Sequence, residues 1–336
     1  MKWLALLVLM SCTQVTSLNM KKHVFGVTPS KIIWFQVAGL DLEHLALLRF
    51  RETAEKLTSF ERSICSGRTW AYNLFNIRNP AHASFLAQTT GKMNIQNSCE
   101  DAELRPLWSY LTDEDYKSVI LENGADSTES MARFKACGQR GEDFLGNTTL
   151  LLQEEAPAGA KTFFYSDEIT LKAGQVIFDK SCTKKGCATN LSDNFRSIYE
   201  SLKPQGKHVF ILRDFSYLQA LQKKDFIKAR EILRELERSY AYALGLAEDS
   251  GNTLVLLTSG ESRFVDFPEQ GKKWFELEKK GEGASARRSL LTNIVLASGA
   301  RAENFCGFYN ESEIMSRILS GPKQQGLELK FINPLN

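Results

Sequence analysis

Residues 254–258, Leu-Val-Leu-Leu-Thr, form an unbroken apolar run rich in residues that favour extended backbone. A long helical pattern leads into this run, and the polar turn Ser259-Gly260-Glu261-Ser262 follows it. A strand buried on both faces of a parallel sheet reads this way, because neither face meets water. In such sheets the chemistry sits in the crevice beyond the carboxyl ends of the strands. The rest of the chain is therefore read for what it brings to that edge.

Further apolar runs at 31–37, 208–212 and 291–297 have the same character, and 69–75, 162–166 and 175–179 read as shorter strands. Between them lie helical patterns at 42–57, 80–90, 191–202 and 311–319, and the mixed stretch 91–150 is expected to be helical at 112–123 and 127–137. Asn79-Pro80 reads as a cap followed by proline at the first helical position, with a stop at Gly91. Phe226, Ala229, Leu233, Leu236, Tyr240, Ala243, Leu244 and Ala247 recur at steps of three and four, one face of a long helix. Strands alternating with helices predict an α/β fold, a three-layer sandwich with a mostly parallel central sheet and helices on both faces. The lysine- and glutamate-rich stretch 270–283 reads as an exposed insertion.

With 42 basic and 40 acidic residues, the formal charge of +2 supplies no global attraction to nucleic acid. The amino terminus points to export. Lys2, a short apolar run and then small residues make a signal too short to span a bilayer, which takes ~20 apolar residues. Leu9-Met10-Ser11-Cys12 resembles a bacterial lipobox, with Cys12 lipidated; cleavage near Ser17 is the alternative and yields a soluble secreted chain. The chain then divides into the export signal 1–12, a tether 13–30, one α/β domain with inserted segments 31–325, and a tail 326–336. Of seven cysteines, six follow the signal, an even number that suits disulfides in an oxidising compartment. Cys182 and Cys187 are expected to pair locally; the connectivity of Cys65, Cys99, Cys137 and Cys306 stays open. Asn147, Asn190 and Asn310 begin glycosylation-type sequons, which matter only in a eukaryotic secretory route.

The order of these pieces resembles the alkaline phosphatase and sulfatase superfamily over residues 32–319. The run 33–39 is similar to the opening strand that ends in Asp-Gly in that family, and 80–91 to the helix that carries the nucleophile and closes in Thr-Gly. Residues 209–214 are similar to a strand followed by a metal-binding acid, and 252–261 to the segment that ends in the metal-binding pair Asp-His. Residues 293–319 match the closing strand and helix.

The resemblance implies a two-metal hydrolase frame, yet its chemical positions are changed. Ala38 stands at the first metal ligand, Ala81 at the nucleophile, Arg213 at the second acid, and Gly260 and Glu261 at the Asp-His pair. The loop 214–225 has no histidine, and the histidine expected before the closing strand is missing, with Arg287 and Arg288 in its vicinity. Alanine offers no electron pair to phosphorus or zinc, and arginine is a permanent cation that repels a metal. The expectation is a catalytically inactive relative with no cofactor, acting as a binding or scaffold module of the cell envelope. Its partners would be an envelope protein and the membrane, through the lipid anchor, in the periplasm or at the outer membrane. Arg213 with His82 at the helix N-terminus is the candidate site for an anionic small ligand. The alternative is a divergent phosphate or sulfate ester hydrolase working through His82, Ser84 or Glu261. Glu261 with Asp41 or Asp214 would make an oxygen-rich site suited to calcium or magnesium.

Overall fold

The computed structural model describes residues 26–49 and 57–319. The export signal with Cys12, most of the tether, residues 50–56 of the first expected helix and the tail 326–336 lie outside the described residues.

Fourteen strands follow one another along these residues. They are β1 (Lys31–Ala38), β2 (Cys65–Trp70), β3 (Lys117–Asn123), β4 (Thr149–Gln153), β5 (Thr162–Phe163), β6 (Val176–Asp179), β7 (Cys182–Thr183), β8 (Gly186–Cys187), β9 (His208–Asp214), β10 (Thr253–Gly260), β11 (Arg263–Asp266), β12 (Ser285–Ser289), β13 (Thr292–Gly299) and β14 (Gly307–Asn310). The helices are α1 (Ala46–Arg49), α2 (Ala81–Thr90), α3 (Leu107–Thr112), α4 (Gln139–Leu145), α5 (Leu191–Leu202), α6 (Ser216–Gln222), α7 (Phe226–Ser250), α8 (Gly271–Lys280) and α9 (Glu313–Leu319). Ten strands form one sheet in the order β14-β2-β13-β10-β1-β9-β3-β4-β6-β5. All its pairings are parallel except those of β13, which runs against both β10 and β2.

The sheet is covered on both faces, which gives the expected three layers. Alternate residues of β1 divide between two cores. Ile33, Phe35 and Val37 pack toward α5, α6 and α7, while Ile32 and Trp34 pack toward α2, α3, α4 and α9. Helix α7 begins at Asp225, whose carboxylate accepts from Lys228 N, and stops at Gly251 in the left-handed conformation (φ 64°). All eight residues of its predicted face are buried. Helix α2 is buried along its whole length, wedged between the sheet and α9.

Several expectations need correction. The stretch 112–123 is not helical: α3 ends at Thr112 and the chain returns as the buried strand β3 between β9 and β4. Residues 127–137 form only a 3-10 turn over Met131–Cys137. Strand β4 has no counterpart among the expected strands, and β2 lies at Cys65–Trp70 rather than 69–75. The stretch 270–283 is largely exposed, as expected, and within it α8 buries Leu277 against α7. Pro80, not Asn79, holds the cap position of α2, and the Asn79 side chain turns elsewhere. Cys182 and Cys187 pair as expected; Cys65–Cys306 and Cys99–Cys137 complete the three disulfides among the described residues. Cys65–Cys306 ties β2 to the turn before the edge strand β14. Such pairing fits an oxidising compartment.

Candidate functional site

The carboxyl ends of β1, β9 and β10 and the start of α2 bring Ala38, Ala81, Arg213, Gly260 and Glu261, the positions singled out by the resemblance, close together. Ala38 lies opposite Gly260 in the β1–β10 ladder, and Gly39 N donates to Gly260 O at 2.8 Å. Gly260 backs onto α2 so closely that a Cβ added there would lie 2.8 Å from Phe85 Cε1 and 3.0 Å from Ala81 O. Glu261 follows in the left-handed conformation (φ 53°), strained for a residue with a side chain. That turn aims its carboxylate back at α2, where Oε2 accepts from Ala81 N at 3.1 Å. Its other oxygen pairs with Arg263. The dipole end of α2, the expected seat for an anion, is thus filled by the chain's own carboxylate.

Arg213 comes from β9 and reaches the same place. It is 1% exposed and pairs with Glu122, which also accepts from Ser130 Oγ at 2.6 Å and Met131 N at 3.0 Å. The guanidinium carbon lies 5.6 Å from the Phe85 ring and 5.4 Å from the Phe215 ring. Burial lowers the arginine's pKa, and the Glu122 charge opposes that shift. The expectation of an external anion on Arg213 and His82 therefore meets a cation already neutralised and enclosed. His82 offers no charge either: burial, then the nearby Arg133 and Arg213, lower its pKa to about 4, so the ring is neutral at pH 7. Its Nε2 has no hydrogen-bond partner among the described residues.

Apolar side chains occupy what remains of the crevice. Ala38, Ala81, Phe85, Phe215 and Leu218 form one buried cluster, with the Phe85 and Phe215 rings edge to face at 5.4 Å. The two other acids that the sequence offered as ligands are committed to protein donors. Asp41 accepts two bonds from Arg68, at 2.9 and 3.2 Å. Asp214 accepts from Asn123 Nδ2 at 2.6 Å, Ser216 Oγ at 2.7 Å and Tyr217 N at 3.2 Å. These residues do not fit the two metals of a phosphoryl-transfer centre, nor an oxygen cage for calcium or magnesium. Among the described residues one other group of donors converges, Asp179 with Cys182 and Cys187, and its two sulfurs are joined in a disulfide. Arg287 and Arg288 lie on β12 outside the crevice, where Arg287 pairs with Asp266.

Sequence reasoning missed the polar half of this site. Glu311 is fully buried, with Oε1 accepting from Asn79 Nδ2 at 2.6 Å and Oε2 from Asn293 Nδ2 at 3.1 Å. Ser84, also fully buried, adds a further bond, and desolvation still raises the Glu311 pKa to about 7. A second network locks α2 to the sheet. Trp34 Nε1 donates to Thr258 Oγ1 at 2.9 Å, Thr258 Oγ1 to Gln88 Oε1 at 2.7 Å, and Gln88 Nε2 to Ser259 O at 2.9 Å. The available signal was the polar content of a helix that also carries Phe85-Leu86-Ala87, with Ser84 and Gln88 on either side of that run.

No protein-family profile matches the chain, and no curated protein matches it in sequence. Solved structures do. The alkaline phosphatase of the Antarctic bacterium TAB5 superimposes with a TM-score of 0.65 at 14% identity, over 87% of this chain and 98% of that one. The cold-active alkaline phosphatase of the psychrophile Shewanella sp. gives 0.67 at 12% identity, over 86% and 98%. That of Thermus thermophilus gives 0.65 at 8% identity, over 90% and 93%. Nearly the whole of each of these enzymes is matched, and the chain has the alkaline phosphatase fold.

Proposed function

We propose that this protein is an exported, non-catalytic carrier of the alkaline phosphatase fold, held in the bacterial envelope by a lipid on Cys12 and serving there as a binding or scaffold module for a protein partner. One observation supports the loss of catalysis above the rest. The positions that the resemblance assigns to nucleophile and metal ligands converge, and they converge on the packed side chains of Phe85, Phe215 and Leu218. Two-metal hydrolysis of a phosphate ester needs an electron-pair donor facing the ester and a cation on the leaving oxygen. Ala38, Ala81 and Gly260 supply neither, and Arg213 is already spent on Glu122. The disulfides and the amino-terminal signal support export.

The test is turnover of p-nitrophenyl phosphate and p-nitrophenyl sulfate by the purified protein, with and without added zinc and magnesium, alongside its metal content by mass spectrometry. The expected result is no turnover above buffer and no metal retained. Turnover abolished by Ser84→Ala or His82→Ala would establish the divergent hydrolase instead. Fractionation of cells carrying Cys12→Ser tests the anchor, with release from the membrane fraction expected.

A further inference from the structure

Apart from Asn79 at its end, the loop from β2 to α2 turns away from the site, and its composition is unusual for a surface. Residues 71–79 read Ala-Tyr-Asn-Leu-Phe-Asn-Ile-Arg-Asn. Leu74 is 73% exposed, Phe75 57% and Ile77 74%. Trp70, which precedes the loop, and Phe308 of β14 have tilted rings 5.4 Å apart, and both are exposed, as is Leu291, whose O accepts from Ala71 N. Scattered exposed apolar residues need no explanation, but a contiguous patch of this kind marks a docking surface.

The loop is also tied in place. Asn73 is buried, and its Oδ1 accepts from Phe75 N at 2.8 Å and Asn76 N at 2.6 Å while Nδ2 donates to Ile95 O at 3.2 Å. Leu74 N donates to Met93 O at 3.0 Å and Asn79 N to Ala71 O at 3.4 Å. The backbone is therefore held by the protein while Leu74, Phe75 and Ile77 stand in solvent. Little ordering remains to oppose docking.

Charge decides what this face suits. Ala71 N donates to Leu291 O, and Arg78 Nε to Ser289 O, both at 2.9 Å, so the loop lies beside segment 284–292. The two segments together contain Arg78, Arg287 and Arg288 and no acid. Arg287 pairs with Asp266, whereas Arg78 and Arg288 are exposed. Exposed Lys92 adjoins Met93, which receives the loop. Large apolar side chains at the tip, Trp70 and Tyr72 flanking them, and cations at the margin follow the layering of a lipid interface: acyl chains, headgroup level, phosphates.

We infer that the 71–78 loop, with Trp70, Phe308, Arg78 and Arg288, docks the protein on an anionic lipid surface, separately from any acyl group on Cys12. The test uses the full chain carrying Cys12→Ser, so that no acyl group contributes, co-sedimented with vesicles of phosphatidylcholine alone or mixed with phosphatidylglycerol. Binding is expected to the mixed vesicles, weakening with salt. Leu74→Ser/Phe75→Ser/Ile77→Ser should lower the partition coefficient at least about tenfold. Arg78→Gln and Arg288→Gln should each lower it about fivefold on the mixed vesicles. Unchanged melting temperatures establish that the variants remain folded, and Phe75→Ser alone serves if the triple variant does not. Failure of the parent to sediment with mixed vesicles overturns the inference, as does undiminished binding by the folded loop variant. A concentration-dependent dimer lost with the loop changes, without vesicle binding, overturns it in favour of a second copy of the chain.

Discussion

Arg213 of β9 and Glu122 of β3 stand directly opposite each other in a parallel ladder and form an ion pair with about 1% of either side chain exposed. Removing two charges from water costs several kcal/mol per ion, so such a pair holds only while both partners remain. Arg213→Met is expected to destabilise by about 3–5 kcal/mol, because Glu122 is left buried without a counter-charge. Adding Glu122→Gln should restore most of the loss, since the amide still accepts from Ser130 Oγ and Met131 N. Denaturant unfolding of the three proteins checks this; an additive double variant would show that the two side chains are not coupled.

Gly260 tests how tightly the crevice is filled. Its missing Cβ would lie 2.8 Å from Phe85 Cε1 and 3.0 Å from Ala81 O. Gly260→Ala should therefore destabilise by about 1–3 kcal/mol, although alanine usually suits a strand interior better than glycine. Gly260→Asp should cost at least as much and confer no zinc-dependent gain in melting temperature. Thermal unfolding with and without zinc reads both effects, and a neutral or stabilising Gly260→Ala would contradict the packing described.

The buried Glu311 predicts a pH dependence of definite sign. Its folded pKa, about 7, lies above the ordinary carboxylate value, so the native state keeps a proton that the unfolded chain releases. The stability it contributes is present below about pH 4.5 and is lost as the pH rises to about 7. His44, His82 and His208 act oppositely. Burial lowers each to about 4, so their stability is present above the unfolded value of 6.5 and is lost as pH falls toward 4. Glu311→Gln should remove only the first trend. The variant should gain about 3 kcal/mol relative to wild type between pH 4.5 and pH 8, where denaturant unfolding is measured.

The three disulfides should differ in weight. Cross-linking limits the unfolded chain more as the closed loop lengthens, and the separations are 241, 38 and 5 residues for Cys65–Cys306, Cys99–Cys137 and Cys182–Cys187. Paired replacement by alanine is expected to cost about 5 kcal/mol for the first and about 2 kcal/mol for the last, with the second between. Melting temperatures of the three double variants give the order; a reversal of the first and last would show that native-state effects outweigh chain entropy.

Much of the frame was legible from the chain because its central strands are continuous apolar runs. Residues 31–37, 208–212 and 254–258 admit few other readings, and the period of 226–247 is unambiguous. Strands β3 and β4 were not, since Val119-Ile-Leu and Leu150-Leu-Leu are too short to separate strand from buried helix. Only their neighbours β9 and β6 decide. The gathering of Ala38, Ala81, Arg213, Gly260 and Glu261 could be anticipated, because strand ends and helix starts share one edge. What surrounds them could not. Glu122 arrives from β3 and Phe215 and Leu218 from the start of α6, and Glu311 meets Asn79 across a long stretch of chain.

The interlocking of Phe85, Phe215 and Leu218 with the bare backbone at Gly260 and Gly39 has a consequence for how this sequence can change. A carboxylate placed at 38 or 260 meets a wall unless a ring opposite is first cut down, and cutting down a ring by itself opens a void. Either first step alone is disfavoured, so mutation one residue at a time will tend to preserve the plug. Only several replacements arriving together would open room for a cation, which makes the present state behave like a latch in sequence space.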